Sequence, residues 1–351
     1  VEVLETQEKK AYPDSSTLNL NLMCVERVKI AKDFTTFYFE SENGVALPNY
    51  KAGQYLPIRL DINGQSISRC YTLSSSPTQK DRYAISVKRV SDGASSNWLT
   101  DNLQVGDTIT AQNPSGEFHL NDDVDKLLLL SAGSGVTPMF SMLEFLTDNK
   151  QLKDVVFYHQ CQTQLDIPDA QLLTKMAQAH PALTVIIALT QADESWSGIQ
   201  GRFAKEHMAE ISNLNERQVF VCGPNAFMDS VKAQLLDNGL PALQYHQEAF
   251  SAAKADVGES KDVYICIDDK VIPATNQRTL LEHIESAGVK VNNSCRAGVC
   301  GSCKITLLEG EVVQNGASAL SEQDVADGKV LACCSTPITD VELKTTEIKG
   351  N

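Results

Sequence analysis

The chain has 351 residues, of which 42% are hydrophobic, and at roughly 100 to 200 residues per domain this length predicts two or three domains. Its 30 Lys and Arg residues against 45 Asp and Glu residues give a formal net charge of −15, which argues against a nucleic-acid-binding protein. No segment approaches the roughly 18 continuous apolar residues of a membrane span. Residues 1–21 form a polar N-terminal extension without the apolar core of a signal peptide, so we expect a cytoplasmic protein.

The first part of the chain, residues 22–122, carries short segments in which apolar and polar residues alternate. These segments are VERVKIA, TFYFES, QYLPIRLDI, YAISVKRV and DTITAQ. Turn residues such as Asn63 and Gly64 separate them. Alternation over segments of this length predicts strands with one buried face. We therefore predict an antiparallel β-barrel domain over residues 22–122.

Residues 123–250 show a different pattern, in which apolar strands alternate with helices. The strand-like segments are KLLLLSA, VVFYH, LTVIIAL and RQVFVCG, and the helix-like ones are SMLEFLTDN, DAQLLTKMAQAH and MDSVKAQLLDNG. This alternation predicts an α/β domain with a parallel sheet. Residues 251–260, SAAKADVGES, lack apolar periodicity and are predicted to be a flexible linker. Residues 261–351 should then form a separate module.

Four of the ten cysteines lie in this last module with a regular spacing. Cys295, Cys300 and Cys303 form C-x4-C-x2-C, and Cys333 follows in VLACCSTP. This is the spacing of plant-type [2Fe-2S] ferredoxins. Two other interpretations remain: a structural zinc site, although that normally has two C-x2-C pairs, or buried thiols that bind nothing. Cys334 competes with Cys333 as the fourth ligand.

A second group of candidate residues lies on the barrel. An arginine suits a pyrophosphate, a tyrosine ring suits the flat face of a cofactor, and a hydroxyl suits a ring nitrogen. A glycine turn that leads into a helix can donate backbone N–H groups to phosphate. Taken alone, an R-x-Y-[ST] string is more often an ordinary strand. The candidates in the two strings are Arg69, Tyr71, Thr72, Val87, Lys88, Gly93, Ser95 and Ser96.

A third group lies at two turns of the α/β domain, where a strand leads into a helix. In the first turn, Thr137 is predicted to cap the helix and Pro138 to occupy its first position. The second turn follows QVFVCG, and at the carboxyl end of a parallel strand it should face the same crevice. Glycine turns are also common structural joints, and Cys222 can equally be a buried thiol. The candidates are Gly133, Gly135, Thr137, Pro138, Cys222, Gly223, Pro224 and Met228, with Phe250 closing the domain.

Together and in this order, the strings resemble the ferredoxin–NAD(P)+ reductase superfamily, here with a C-terminal plant-type ferredoxin domain. The resemblance implies an FAD-binding β-barrel, an NAD-binding α/β domain and a β-grasp [2Fe-2S] domain, with FAD, NADH and a [2Fe-2S] cluster as cofactors. It implies that Arg69 binds FAD phosphate, that Tyr71 packs on the isoalloxazine ring, and that Thr72 hydrogen-bonds near flavin N5.

The same resemblance implies roles for the turns. The turn from Gly93 to Ser96 would hold the FAD pyrophosphate, and the turn from Gly133 to Pro138 the NAD phosphates. Cys222 would lie near the hydride path and Phe250 beside the flavin. This makes Tyr71, Thr72, Cys222 and Phe250 the catalytic candidates. The C-x-x-x-P ending of ferredoxins, here Cys333 to Pro337, favours Cys333 over Cys334.

The resemblance implies an electron-transfer reductase, because a flavin can take a hydride from NADH and pass single electrons to a cluster. CRAGVCGSCK and GKVLACCSTP resemble NADH oxidoreductases that serve hybrid-cluster proteins, which implies a hybrid-cluster protein as the acceptor. The alternative is the reductase component of a multicomponent oxygenase. An alternative from another class is a non-catalytic binding protein with unused cofactor sites, which the intact motifs disfavour. The segment YHQCQTQLDIPD contains no Lys or Arg, which predicts a preference for NADH over NADPH.

Overall fold

A computed structural model of the chain describes residues 19–91, 93–120, 124–252, 255–317 and 319–345. The predicted N-terminal extension therefore lies almost entirely outside the described residues, as do positions 253 and 254 of the predicted linker. Within the described ranges, the helices are too short or too polar to cross a membrane.

The first domain is an antiparallel sheet of six strands in the order β4-β3-β6-β1-β2-β5. Alternating burial along the strands, as in β1, turns one face of the sheet toward a core of Leu, Ile, Phe and Tyr side chains. A bridge between Leu73 and Ile85 joins the two edges of the sheet, so the predicted antiparallel barrel is confirmed. Its elements are β1 (Leu20–Ala31), β2 (Phe34–Ser41), β3 (Tyr55–Ile62), β4 (Gln65–Thr72), β5 (Tyr83–Lys88), α1 (Ala94–Asn102) and β6 (Thr108–Ala111).

The second domain has a six-stranded sheet in the order β10-β9-β8-β7-β11-β12, in which every pair is parallel. Its central strands are buried on both faces because helices cover both sides. The predicted α/β domain is thus confirmed. Its elements are β7 (Lys126–Ala132), α2 (Val136–Asp148), β8 (Asp154–Cys161), α3 (Ala170–Ala179), β9 (Leu183–Leu189), β10 (Ile199–Gln200), α4 (Lys205–Met208), β11 (Gln218–Cys222), α5 (Asn225–Asp237) and β12 (Tyr245–Glu248).

The third domain has a mixed five-stranded sheet in the order β14-β13-β19-β15-β17, with a two-stranded β16–β18 pair beside it. The buried side of α6 packs into the core of this sheet, as expected for the predicted β-grasp. Its elements are β13 (Asp262–Ile267), β14 (Lys270–Thr275), α6 (Leu280–Ser286), β15 (Lys304–Glu309), β16 (Val312–Gln314), α7 (Glu322–Ala326), β17 (Lys329–Leu331), β18 (Ser335–Pro337) and β19 (Val341–Thr345).

The barrel and the α/β domain share a core, whereas the third domain has its own. Phe34, Ala52 and Phe118 of the barrel pack into the same cluster as the inner side chains of α2. The apolar cluster of the third domain contains residues from Val263 to Leu343. The first two domains therefore form one packed unit, and the third is built around a separate core.

Candidate functional site

The flavin candidates converge on one cleft at the edge of the barrel. β4 carries Arg69, Tyr71 and Thr72 to its end, and the neighbouring β5 ends at Lys88, just before the turn into α1. A cavity of about 380 Å³ lies between these elements. All the predicted flavin residues line it, namely Arg69, Tyr71, Thr72, Val87, Lys88, Gly93, Ser95 and Ser96, together with Thr137 and Phe250.

The polar atoms of this cleft are suited to a bound ligand. The hydroxyls of Thr72 and Ser95 are buried and have no hydrogen-bond partner among the described residues. Such groups are costly unless a ligand or water pairs with them. Burial lowers the pKa of Arg69, with repulsion from Arg296 adding to it, so an anion beside this guanidinium would be stabilising. The cleft therefore fits a cofactor that has both a polar ring edge and phosphates, such as FAD.

The two glycine turns of the α/β domain meet at neighbouring strands, β7 and β11. A Cβ atom at Gly135 would lie 2.1 Å from the carbonyl oxygen of Cys222 and 2.6 Å from the amide nitrogen of Gly223. Only a residue without a side chain allows the turns to approach this closely. Both turns lie at the carboxyl ends of parallel strands, the usual ligand crevice of such sheets.

Two details of this crevice differ from the sequence prediction. The helix α2 begins at Val136, after a 3-10 turn over Gly133–Gly135. Thr137 therefore does not cap it; its hydroxyl donates to the carbonyl oxygen of Ser134 at 3.1 Å, and Pro138 is the third helical residue. Because α5 begins at Asn225, directly after Pro224, Met228 lies on its buried side and belongs to the core rather than to the crevice.

The Cys222 thiol is fully buried, and burial raises its pKa well above the ordinary value, with Glu248 on the neighbouring strand adding to the shift. A protonated, buried thiol at this position is not a nucleophile. It can act on a nicotinamide only through packing, and its part in hydride transfer stays a prediction.

The four candidate ligands of the third domain form two pairs of thiols. In each pair one thiol perturbs the other, since Cys300 raises the pKa of Cys295 and Cys333 raises the pKa of Cys303. Within the described ranges, no three His, Cys, Asp or Glu side chains meet around a single point. Two pairs of thiolates suit a centre with two iron atoms, each of which takes two cysteines.

The loop between these ligands has the backbone that wrapping a cluster requires. Gly298 has a φ of +79°, and a Cβ there would lie 2.3 Å from the carbonyl oxygen of Gly316. The amide of Ala297 lies 3.4 Å from the Cys295 sulfur, and the Ser302 hydroxyl lies 3.3 Å from the Cys300 sulfur. Arg296, by contrast, pairs with Glu285 rather than with a sulfur.

The seam between the flavin cleft and the cysteine loop holds residues that we did not predict from the sequence. Tyr55, Cys70 and Glu248 line a small cavity there together with Phe250 and Cys295. Burial raises the pKa of Glu248 to about 8, and one of its carboxyl oxygens has no partner among the described residues. Glu248 lies two residues before the predicted Phe250, so the sequence around Phe250 offered a signal. Cys70 lies inside the R-x-Y-[ST] string and offered none of its own.

Comparison with known proteins gives the same three parts. The profile described as an oxidoreductase FAD-binding domain matches residues 21–120, that of an oxidoreductase NAD-binding domain matches residues 129–233, and that of a 2Fe-2S iron-sulfur cluster binding domain matches residues 263–337. The predicted cofactors FAD, NADH and [2Fe-2S] are thereby confirmed.

Relatives that match most of the chain point to the same kind of protein. The chain is 34% identical to the glycine betaine monooxygenase reductase subunit of Chromohalobacter salexigens, over 92% of this chain and 95% of that protein. It is 32% identical to the NADH oxidoreductase HCR of Escherichia coli, over 84% and 88% respectively. A solved structure of phthalate dioxygenase reductase, a modular protein for electron transfer from pyridine nucleotides to [2Fe-2S], superposes with a TM-score of 0.68 at 27% identity, over 93% of this chain and 97% of that one. The chain therefore belongs to the ferredoxin–NADP reductase-like family with a C-terminal [2Fe-2S] domain, and it is an NADH oxidoreductase that uses FAD and an iron-sulfur cluster.

Proposed function

We propose that this reductase delivers electrons from NADH to the terminal component of an oxygenase. The observation that carries the proposal is the extent of the match to the glycine betaine monooxygenase reductase subunit, which spans more than nine-tenths of both chains. The match to phthalate dioxygenase reductase also spans all three domains. Both of these proteins are named as reductases of oxygenases.

The site residues support the same direction of electron flow. We propose that Arg69 and the turn before α1 bind the FAD phosphates, and that Tyr71, Thr72 and Phe250 surround its ring system. The turns at Gly135 and Cys222 would hold NADH against it. When bound, the flavin accepts the two electrons of a hydride and releases them one at a time.

We infer that the cluster loop passes electrons outward. Val299 is 37% exposed, and with Cys300 and Ser302 it lines an open cleft of about 850 Å³ to which all three domains contribute. A partner that docks over this cleft comes within reach of the cluster ligands. Because the chain carries a net charge of −15, we expect a partner with a basic docking face and an association rate that falls with salt.

A hybrid-cluster protein is the second candidate acceptor. It is favoured by the motif CRAGVCGSCK and by the relationship to the NADH oxidoreductase HCR. The oxygenase is preferred because the match to HCR covers less of this chain.

The test is a direct competition between acceptors. The reductase, with flavin and cluster verified by visible spectrum, is mixed anaerobically with NADH and either an oxygenase terminal component or a hybrid-cluster protein from the same cell. We expect the oxygenase component to be reduced at least about tenfold faster, and ferricyanide reduction serves as the control for the flavin step. Faster reduction of the hybrid-cluster protein would transfer the assignment to it, and failure with both would refute both acceptors.

A further inference from the structure

A hydrogen bond joins the flavin-binding strand to the cysteine loop. The sulfur of Cys70 lies 3.3 Å from the hydroxyl oxygen of Ser294, across 224 positions of sequence. Cys70 stands between Arg69 and Tyr71, and Ser294 stands directly before Cys295. Each partner of this bond is therefore one residue away from a residue that we propose to bind a cofactor.

Either group can donate this bond, because the thiol and the hydroxyl each carry a proton and an acceptor atom. Burial raises the pKa of Cys70 to about 12, so the sulfur stays a neutral thiol throughout the working range of pH. Cys70 lines both the flavin cleft and the small cavity between this cleft and the cysteine loop. Its sulfur therefore lies at the border between the flavin-binding strand and the third domain, where it reaches Ser294.

The two domain interfaces of this chain differ in how they are held. The barrel is bound to the α/β domain by the shared core and by hydrogen bonds such as those from Ser141 to the carbonyl of Ser75, at 2.7 Å, and from the amide of Ser76 to Glu144, at 3.1 Å. The third domain has a separate core, and the seam beside Cys70 contains a small cavity and the open cleft. A single polar contact has more influence on position at such a seam than at a densely packed interface.

We propose that Cys70 is a positioning residue for electron transfer, and that its hydrogen bond to Ser294 seats the cysteine loop against the flavin-binding strand. The rate of electron transfer between two centres depends on the distance between them. Transfer from the flavin to the cluster therefore slows whenever the cysteine loop moves away from the flavin-binding strand. Hydride transfer from NADH occurs within the first two domains and does not depend on this contact.

The size of the effect follows from the strength of one hydrogen bond. The net contribution of such a bond corresponds to roughly a three- to tenfold change in an equilibrium between seated and unseated loop. The transfer rate follows the seated fraction, so for a loop that is seated about half of the time we expect Cys70→Ala and Ser294→Ala each to slow flavin-to-cluster transfer by about two- to sixfold. Cys70→Ser keeps a donor at this position and should restore most of the rate.

The experiment follows one turnover in a stopped-flow spectrometer after anaerobic mixing with NADH. Flavin bleaching reports the hydride step and cluster bleaching reports the transfer. Ser294→Ala should keep the rate of flavin bleaching and of ferricyanide reduction within about twofold. Cys266→Ala, which removes a thiol on β13 of the third domain, is the matched control. A second readout needs no turnover: in Ser294→Ala, Cys70 should be alkylated faster, as mapped by peptide mass.

The double variant decides between a shared contact and two separate effects. If the bond is the cause, Cys70→Ala combined with Ser294→Ala should be no slower than either single variant. Multiplied effects would overturn the proposal, as would a transfer rate within twofold of the parent in Cys70→Ala with normal flavin and cluster spectra. If Cys70→Ala loses a cofactor, Ser294→Ala and Cys70→Ser take its place in the test. An unchanged transfer rate in Ser294→Ala contradicts the proposal. A transfer rate that is not restored in Cys70→Ser contradicts it as well.

Discussion

At Gly135 a missing side chain lets the two glycine turns of the α/β domain approach each other closely. The neighbouring Gly133 differs, because its φ is +56° but a Cβ there would meet nothing within 4 Å. Gly135 is required because the two turns approach each other closely there, whereas Gly133 is required only by its left-handed backbone conformation. These two causes carry different costs and can be separated by substitution.

Gly135→Ala should weaken NADH binding far more than Gly133→Ala does. The added methyl forces the turn away from Cys222, and overpacking of this kind typically costs about 1–3 kcal/mol. An alanine at Gly133 adds only the cost of a left-handed backbone conformation, about 1 kcal/mol. We expect a KM for NADH at least about tenfold higher in Gly135→Ala, measured with ferricyanide. Equal KM values in the two variants would show that the close approach does not shape the site.

The fourth cluster ligand can be tested with adjacent cysteines. Cys303 perturbs the pKa of Cys333 most strongly, and Cys334 perturbs it too, whereas the Cys334 thiol donates to the carbonyl of Leu331 at 3.7 Å. Cys333→Ser should therefore lose the visible absorption and EPR signal of the cluster, while Cys334→Ser keeps both. NADH should bleach the flavin in either variant. The reverse pattern would make Cys334 the ligand.

Among the elements, α2 connects the nucleotide crevice to the barrel. It begins at the Gly133–Gly135 turn, and its side chains reach the loop that follows β4. Glu144 accepts the amide hydrogen of Ser76, and the Thr78 hydroxyl donates to Asp148 at 2.5 Å. The helix α2 thus holds the loop after β4 in place next to the candidate flavin residues. The carboxyl groups of Glu144 and Asp148 make two of these contacts.

Glu144 should make the stability of the protein depend on pH. Burial raises its pKa from 4.5 to about 7, with Asp148 and Asp169 adding to the shift. The folded state therefore holds a proton that the unfolded state releases, and stability falls as pH rises from about 4.5 through 7. Glu144→Gln removes this loss, so its gain over the parent should grow to the order of 2 kcal/mol at pH 8. Urea unfolding at pH 5 and pH 8 measures it, and a gain independent of pH would contradict the assignment.

The elements that local pattern predicts well are those with a strong period or a continuous apolar run. KLLLLSA and VVFYH became central parallel strands because burial on both faces requires such runs. The start of α2 was wrong because Gly133–Gly135 coils into a 3-10 turn that continues into the helix. The R-x-Y-[ST] string and the cysteine spacing marked residues that lie in one cleft and in the loop beside it, and their roles toward the cofactors stay predictions. The Cys70–Ser294 contact joins segments far apart in sequence, and no local pattern contains it.

At the scale of the whole molecule, the arrangement of cores separates hydride chemistry from single-electron delivery. The shared core of the barrel and the α/β domain brings the flavin cleft and the nucleotide turns together. The cysteine loop belongs to the third core and meets the flavin strand at the seam. A two-electron step and a one-electron step are thus placed on opposite sides of a single interface.

A fragment of residues 1–250 should therefore fold, bind FAD and reduce ferricyanide with NADH, at a rate within about threefold of the full chain. Its core is complete, because the buried cluster of the first two domains contains no residue of the third. The cut falls after Phe250, which lines the flavin cleft, and leaves that ring in place. The same fragment should fail to reduce cytochrome c, a one-electron protein acceptor, when oxygen is excluded. Flavin content by absorbance, unfolding by circular dichroism and the two acceptor assays measure these outcomes.

A fragment that folds without flavin would mean that the third domain completes the cleft. Full cytochrome c reduction would mean that the flavin, rather than the cluster, delivers electrons to proteins.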